Sequence, residues 1–187
     1  MDHYLDIGLR PDPEFSPTHL MNALYAKLHR ALVGFQNPAI GISFPDVQPA
    51  RPALGERLRL HGSAACLQQL LAQPWLTGMS DHVQLGDVTD VPDEVQYRNV
   101  CRIQVKSSAE RLRRRLMRRH GLTAEDARQR IPDNVERSLT LPFISLRSQS
   151  TDQAFRLFIQ HGPLQKNPIN GTFNAYGLGN GATIPWF

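Results

Sequence analysis

The order of apolar patterns in the first half of the chain is the feature that most limits its fold. Residues 17–33 carry a leucine at every fourth position behind a Ser-Pro pair, which predicts an amphipathic helix. Ser63 is a suitable cap for a second helix at residues 64–73, which Pro74 would end. Alternating apolar residues predict strands around these helices at 4–9, 40–47, 57–61 and 82–88.

These predicted elements follow the order β-α-β-β-α-β, which is the ferredoxin-like pattern. Residues 89–98 are polar and acidic and contain a proline, so we interpret them as a linker. We therefore expect an α+β protein with a ferredoxin-like (βαββαβ) domain at 1–94 and a C-terminal α+β domain at 95–187 that carries an arginine-rich helix. The ferredoxin-like pattern serves many unrelated functions and does not by itself indicate one.

Two helices are predicted near the middle of the second half. The first covers residues 107–120, where Ser107 and Glu110 match a capping box and Gly121 stands where helices commonly end. The second is short and begins after Thr123, a suitable N-terminal cap. Strands are predicted on either side of this helical stretch, at 100–105, 141–148 and 154–161.

Charge is distributed unevenly along the chain. Residues 1–97 have a net charge of −5, residues 98–147 have +8 and residues 148–187 have +1. A concentrated positive field on an otherwise acidic protein favours a polyanion as the partner, with an anionic membrane surface as the other possibility.

The stretch ERLRRRLMRRHG concentrates this charge on one helix. At about 100° per residue its outward arginines share an arc of roughly 140°, and Glu110 is the only acid among them. Like charges on one face repel each other, so we expect a phosphate-rich partner to compensate them; a solvated helix face is the alternative. Arginine also suits bidentate contacts with phosphate or a guanine edge. The arginines on this arc are Arg111, Arg114, Arg115, Arg118 and Arg119.

Composition disfavours several classes of protein. The first residues are partly acidic and no stretch approaches 18 apolar residues, so neither a secretory signal nor a membrane-spanning helix is predicted. Cys66 and Cys101 have no disulfide or zinc spacing, and no carboxylate or histidine pattern indicates a metal site. We expect a cytoplasmic protein without a metal, a small-molecule cofactor or a membrane partner.

Several distinctive stretches are spread over the whole length of the chain: MDHYLDIGLRPDPEF, ERLRRRLMRRHGL, RIPD, LPFISLRSQST, FRLFIQHGPLQ, YGLGNG and the final PWF. Through these stretches the chain resembles the type I-F CRISPR repeat-processing (pre-crRNA) endoribonuclease family. The resemblance implies an endoribonuclease that cuts the CRISPR repeat RNA at the 3′ base of a stem-loop hairpin. It also implies that the enzyme stays on the mature guide RNA, within a surveillance complex that contains other subunits.

The resemblance also implies roles for individual residues. The family's catalytic histidine, serine and tyrosine correspond to His29, Ser148 and Tyr176. Its base-edge readers correspond to Arg102 and Gln104. Its remaining RNA contacts correspond to the stacking aromatic Phe155 and to Arg114, Arg115, Arg118 and Arg119 of the arginine-rich helix.

The chemistry implied for these residues requires no metal. RNA supplies its own nucleophile, the 2′-hydroxyl beside the scissile phosphate, and a histidine is suited to removing its proton. We hypothesise that His29 is this base, that Ser148 orients the hydroxyl and that Tyr176 positions His29 or the phosphate. The product would be a 2′,3′-cyclic phosphate. Without the resemblance, the same residues are interpreted as a surface histidine, a turn serine and a half-buried tyrosine.

Arg102 and Gln104 stand two apart on a predicted strand, so their side chains are expected on one side. Arg pairs with guanine O6 and N7 and Gln with adenine N6 and N7, which suits reading the last pairs of a stem. Phe155 alternates with Leu157 and Ile159, as a core residue does. The resemblance instead implies that Phe155 stacks on the terminal base pair, an interaction that contributes about 1–3 kcal/mol per base.

Two other interpretations remain open. A non-catalytic RNA-hairpin-binding subunit of a guide-RNA surveillance or transposition complex would keep the arginine-rich helix and could discard His29. A DNA-binding or membrane-surface protein would use the same helix, although apolar residues at interfacial spacing are missing opposite the arginines.

Overall fold

Both strands and helices are present in the computed structural model, which describes residues 1–35, 38–48, 52–104, 109–131, 140–148 and 152–187. The chain folds as two compact units, one made of Met1–Arg102 with Leu141–Phe187 and the other of Ile103–Thr140. The division into domains at 1–94 and 95–187 stays a prediction, and residues from both of these ranges belong to the first unit.

The elements of the first half occur in the predicted order. They are β1 (His3–Leu9), α1 (Pro17–Phe35), β2 (Gly41–Ser43), β3 (Arg57–Gly62), α2 (Ala64–Leu71), a 3₁₀ helix (Pro74–Leu76), β4 (Val83–Leu85) and β5 (Thr89–Asp90).

An antiparallel sheet with the strand order β2-β3-β1-β4 forms the base of the first unit, and β5 also pairs with β1. Leu5 lies beside Leu60 and Ile7 beside Leu58 in the register, and all four side chains are buried. Both α1 and α2 pack on this sheet. The α+β class is confirmed, whereas the ferredoxin-like assignment stays a prediction.

Helix α1 begins as its sequence predicts. The Ser16 hydroxyl accepts a hydrogen bond from the His19 amide at 3.3 Å, and Pro17 is the first helical residue. The leucine stripe faces the core, where each side chain contributes about 1.5–3 kcal/mol by burial. This stripe holds the helix on the sheet and places His29 at the edge of the buried face. Its members are Leu20, Leu24, Leu28 and Leu32.

The remaining elements are β6 (Gln96–Arg98), β7 (Val100–Ile103), α3 (Ala109–His120), α4 (Ala124–Arg130), β8 (Phe143–Arg147), β9 (Ala154–His161) and β10 (Ile184–Trp186).

The remaining strands form a three-stranded sheet with the order β7-β9-β8 and a separate two-stranded sheet of β6 and β10. The interpretation of residues 89–98 as a linker is wrong. Thr89 pairs with Tyr4 of β1 and Tyr97 pairs with Pro185 of β10, so this polar stretch is held by backbone pairing.

The second unit contains α3 and α4, which pack against each other. The predicted capping box involves Ser107 and the Glu110 side chain, which lie outside the described residues. The end of α3 is as predicted, since Gly121 has φ +62° and its amide donates to the Met117 carbonyl at 2.8 Å. Thr123 caps α4 by accepting from the Asp126 amide at 3.2 Å. Within the described part of the chain, no helix is long and apolar enough to cross a membrane.

Candidate active site

A pocket of about 290 Å³ in the first unit brings together the three residues expected to be catalytic. His29 comes from α1, Ser148 follows β8, and Tyr176 lies in the loop before β10. The lining residues are Ala26, His29, Arg30, Leu146, Arg147, Ser148, Phe155 and Tyr176.

The orientation of the His29 ring is set by a hydrogen bond to the backbone. His29 Nδ1 lies 2.8 Å from the carbonyl oxygen of Ala175. Because a carbonyl oxygen can only accept, Nδ1 must carry the proton of this bond. A neutral His29 therefore has its lone pair on Nε2. In this tautomer Nε2 is the nitrogen that can accept a proton.

Tyr176 provides a second restraint on the same ring. The His29 and Tyr176 rings are stacked with centroids 4.1 Å apart and planes 9° apart. The Tyr176 carbonyl accepts a hydrogen bond from the Tyr25 hydroxyl at 2.9 Å. Burial raises the pKa of Tyr25 well above its ordinary value, so this hydroxyl keeps its proton and remains a donor.

The loop that carries Ala175 and Tyr176 is a tight turn built on Asn174. Asn174 Oδ1 accepts from the amides of Tyr176 at 2.8 Å and Leu178 at 3.2 Å. Gly177 has φ +69°, and a Cβ there would lie 2.6 Å from Ile42 Cγ2. The loop therefore packs directly on β2, which explains why glycine is needed at position 177.

Ser148 is positioned by the opposite wall of the pocket. The Ser145 amide of β8 donates to the Asn22 side chain of α1 at 3.0 Å, which ties the two walls together. The Ser148 amide donates to the Gln153 carbonyl at 2.9 Å, and the Ser148 carbonyl accepts from the Asp152 amide at 2.9 Å. Asp152 has φ +52°, a left-handed conformation that asparagine, aspartate and glycine tolerate best.

Arg102 and Phe155, expected to contact RNA, lie beside this pocket. The Arg102 guanidinium is 5.4 Å from the centre of the Tyr176 ring and 5.9 Å from that of Phe155. Phe155 is half-buried, whereas Leu157 and Ile159 of the same strand are fully buried. Phe155 therefore packs on the core and also lines the pocket.

The other predicted RNA contacts belong to the second unit. Gln104 is exposed just after the end of β7. On α3 the apolar residues Leu112, Leu116 and Met117 are half-buried. The Arg111 side chain lies outside the described residues. The exposed arginines of this helix are Arg114, Arg115, Arg118 and Arg119.

Two basic residues of the pocket, and the asparagine on which the neighbouring loop is built, were not predicted from the sequence. Arg30 and Arg147 line the pocket and are both exposed, but isolated basic residues give no pattern that distinguishes them. Asn174 was missed although the stretch NAYG contains a recognisable turn signal. Among the described residues, no group of three His, Cys, Asp or Glu side chains is placed to hold a metal ion.

Similarity to known proteins identifies the family. The family described as CRISPR-associated protein (Cas_Csy4) matches residues 4–187, and the chain belongs to this family. A protein of Pseudomonas aeruginosa (strain UCBPP-PA14) named CRISPR-associated endonuclease Cas6/Csy4 is 60% identical over 187 residues, all of both chains. A protein of the same name from Escherichia coli (strain UTI89 / UPEC) is 50% identical, again over the whole of both chains.

Proposed function

We propose that this protein is a metal-independent endoribonuclease that cuts a CRISPR repeat RNA at the 3′ base of its stem-loop and leaves a 2′,3′-cyclic phosphate. The observation that carries the proposal is the hydrogen bond from His29 Nδ1 to the Ala175 carbonyl, within a pocket that also contains Ser148. It leaves the lone pair of neutral His29 on Nε2, as a base needs. The relatives named as CRISPR-associated endonucleases support the substrate class.

His29 acts as the general base in this proposal. Its Nε2 takes the proton of the 2′-hydroxyl, the 2′-oxygen bonds to phosphorus, and the bond to the 5′-oxygen breaks. The 5′-oxygen leaves with the electrons of that bond and takes a proton from water, and His29 then returns its proton to the solvent. Since RNA supplies the nucleophile, Ser148 has no need to form a covalent bond. The Ser148 hydroxyl instead orients the 2′-hydroxyl, which a side chain lining the same pocket as His29 is placed to do.

Tyr176 acts through the face of its ring. Its stacking on His29, with planes only 9° apart, keeps the imidazole in one plane while the proton is transferred. Charge that develops on the imidazolium is stabilised by the aromatic face. Tyr176 is thus a positioning residue for His29.

The stem is bound by the remaining predicted residues. Arg102 and Gln104 read base edges near the cut, and Phe155 stacks on the last base pair. The exposed arginines of α3 contact phosphates, whose number sets the salt dependence of binding. The stem stays with the upstream product, so these contacts persist after cleavage. The protein therefore remains on the guide RNA and presents it to the other subunits of a surveillance complex.

Cleavage of an end-labelled CRISPR repeat hairpin in EDTA tests the proposal. We expect one cut at the 3′ base of the stem, an upstream product that ends in a cyclic phosphate, and retention of that product in a gel-shift assay. Tight binding without any cut would instead identify a non-catalytic hairpin-binding subunit. A cut that requires added Mg²⁺ would contradict the proposed chemistry.

A further inference from the structure

Strand β8 has one edge turned towards α1. Among the strands that the structure describes, β8 has one neighbour, β9. Successive amides of a strand point to opposite sides, and the Ser148 amide points towards β9, where it donates to the Gln153 carbonyl. The Ser145 amide, three residues earlier, therefore points away from β9. It donates to Asn22 Oδ1 of α1 at 3.0 Å, so a helix side chain takes the place of a neighbouring strand at this edge.

Two hollows show that α1 and β8 run side by side in the same direction. The first, of about 190 Å³, is lined by Asn22 near the start of α1 and by Ile144 near the start of β8. The second is the candidate active-site pocket, where His29 comes from further along α1 and Ser148 follows the end of β8. The bond from Ser145 to Asn22 thus precedes the pocket on both elements.

The distances along the two elements match. His29 follows Asn22 by seven positions, a rise of about 10.5 Å along an α-helix, and the two side chains lie roughly 20° apart around it. Ser148 follows Ser145 by three positions, a rise of about 10 Å along a strand. A bond between Asn22 and Ser145 therefore brings Ser148 level with His29, on the same side of α1.

Other contacts of β8 define this alignment less closely. Ile144 and Leu146 are buried in the core, but apolar side chains at alternate positions can exchange places when a strand shifts by two residues. The backbone bond between Ser148 and β9 joins the two strands and moves with them. The bond to Asn22 instead joins β8 to the helix that carries His29, and a hydrogen bond forms only over a narrow range of distance and angle.

We propose that Asn22 is a positioning residue for the cleavage reaction, which fixes β8 along α1 so that the Ser148 hydroxyl lies opposite His29. The inference rests on the proposed function, because that function gives Ser148 and His29 their roles. Asn22 acts through the Ser145 amide and needs no contact with the RNA. Its effect on the rate arises because a displacement of about 1 Å at the reacting groups can slow a reaction by about 10²-fold.

Crystal structures of the RNA-free wild type and of Asn22→Ala test the alignment without any measurement of activity. In the variant we expect Ser148 to shift by about 1 Å or more relative to His29, while the Ser148 amide stays bonded to Gln153. Thr18→Ala is the matched control, since Thr18 is an exposed polar residue one turn earlier on α1 that lines the same hollow as Asn22. This control should keep Ser148 in the wild-type position. An unchanged position of Ser148 in Asn22→Ala would overturn the inference.

Cleavage of the ribose hairpin tests whether the alignment serves the reaction. At saturating RNA, Asn22→Ala should cut about 10- to 100-fold more slowly than the wild type, with a hairpin Kd changed by less than about threefold. Asn22→Asp keeps an acceptor oxygen of the same reach, so its rate should lie within about threefold of the wild-type rate. Thr18→Ala should match the wild type in both rate and Kd.

The outcomes separate this inference from the proposed function. A wild type that never cuts the ribose hairpin contradicts the proposed function, whereas the position of Ser148 in the crystal structures still tests whether Asn22 sets the alignment. Where the wild type cuts, three results would each overturn the inference. These are a rate of Asn22→Ala within about threefold of the wild type, an equal loss of rate and affinity in that variant, and no recovery of the rate in Asn22→Asp.

Discussion

The His29 pocket and the arginine face of α3, which we propose act on RNA, are constructed in different ways. His29 is fixed by a hydrogen bond of 2.8 Å and by a stacked tyrosine, and the loop beneath it rests on the fully buried Ile42. Helix α3 instead presents exposed arginines on a short helix pair in which, among the side chains that the structure describes, Ala127 is the one buried hydrophobic residue. Proton transfer depends on angle and distance, whereas phosphate neutralisation depends mainly on the number of cations. Substitutions in the two regions should therefore affect different steps.

The largest effect is expected from His29→Ala. Removing the base should slow cleavage of saturating RNA by about 10²- to 10⁴-fold, while the Kd for the hairpin changes by less than about threefold. Single-turnover rates and gel-shift titrations measure the two quantities. His19→Ala is the matched control, since His19 is an exposed histidine of the same helix, and it should behave as the wild type. Equal loss of binding and cleavage in His29→Ala would contradict the assignment of proton transfer to the pocket and of RNA binding to the arginine face.

The double substitution Arg115→Ala with Arg119→Ala should have the opposite profile. Loss of two charged contacts should weaken hairpin binding by about 30- to 300-fold and reduce the salt slope by about 1.4–1.8. The rate at saturating RNA should fall far less than the affinity. Arg128→Ala with Arg130→Ala removes the same charge from exposed positions of α4 in the same unit. If this control pair weakens hairpin binding equally, the affinity depends on the total charge of the unit and not on the arginine face of α3.

Acid should lower the free energy of unfolding of the first unit, which contains the His29 pocket. Burial lowers the pKa of His61 to about 3 and that of His161 to about 4. Below about pH 6.5 the unfolded chain binds protons on these residues and the folded chain does not, so the free energy of unfolding falls with pH until about pH 3–4. Between pH 7 and 4.5, His61 alone should account for a loss of about 2–3 kcal/mol.

Urea unfolding at the two pH values, followed by the fluorescence of Trp75 and Trp186, measures this loss in the first unit. His61→Gln cannot titrate, so its loss between pH 7 and 4.5 should be smaller than that of the wild type by about 2–3 kcal/mol. Because each protein is compared with itself at the two pH values, any effect of the substitution on stability that does not depend on pH cancels. His19→Gln, at an exposed position, should show the wild-type loss. Identical losses in all three proteins would contradict the account of His61.

The smallest effect is expected at Tyr176 and separates its ring from its hydroxyl. Tyr176→Phe keeps the stacked ring and should cut at a rate within about threefold of the wild type, whereas Tyr176→Ala should be slower by about tenfold. Both rates are measured at saturating RNA. An equal loss in the two variants would show that the hydroxyl, and not the ring face, is what the reaction uses.

Local sequence signals predicted the parts of the fold that depend on neighbouring residues. The leucine stripe, the Ser16 and Thr123 caps and the Gly121 helix end were all readable because each acts within a turn or two of helix. Strands β5 and β6 were missed because both are polar and short. Their pairing with β1 and β10 is a long-range property that alternation does not reveal.

The candidate site was predicted from the resemblance and not from local pattern. His29 and Ala175 are separated by 146 positions in the sequence, so no window around either residue contains the hydrogen bond that selects the tautomer. The stacking of Tyr176 on His29 likewise arises only when α1 and the late loop pack together. The roles of these residues stay predictions until they are measured.

The central claim is that RNA provides the nucleophile and His29 removes its proton. The most direct test replaces one ribose, at the cut, by 2′-deoxyribose and compares this hairpin with the all-ribose hairpin in EDTA. We predict that both are bound with similar Kd and that only the all-ribose hairpin is cut, to an end that carries a 2′,3′-cyclic phosphate. Cleavage of the 2′-deoxy hairpin at the same site would contradict the claim, because the nucleophile would then have to come from water or from the protein.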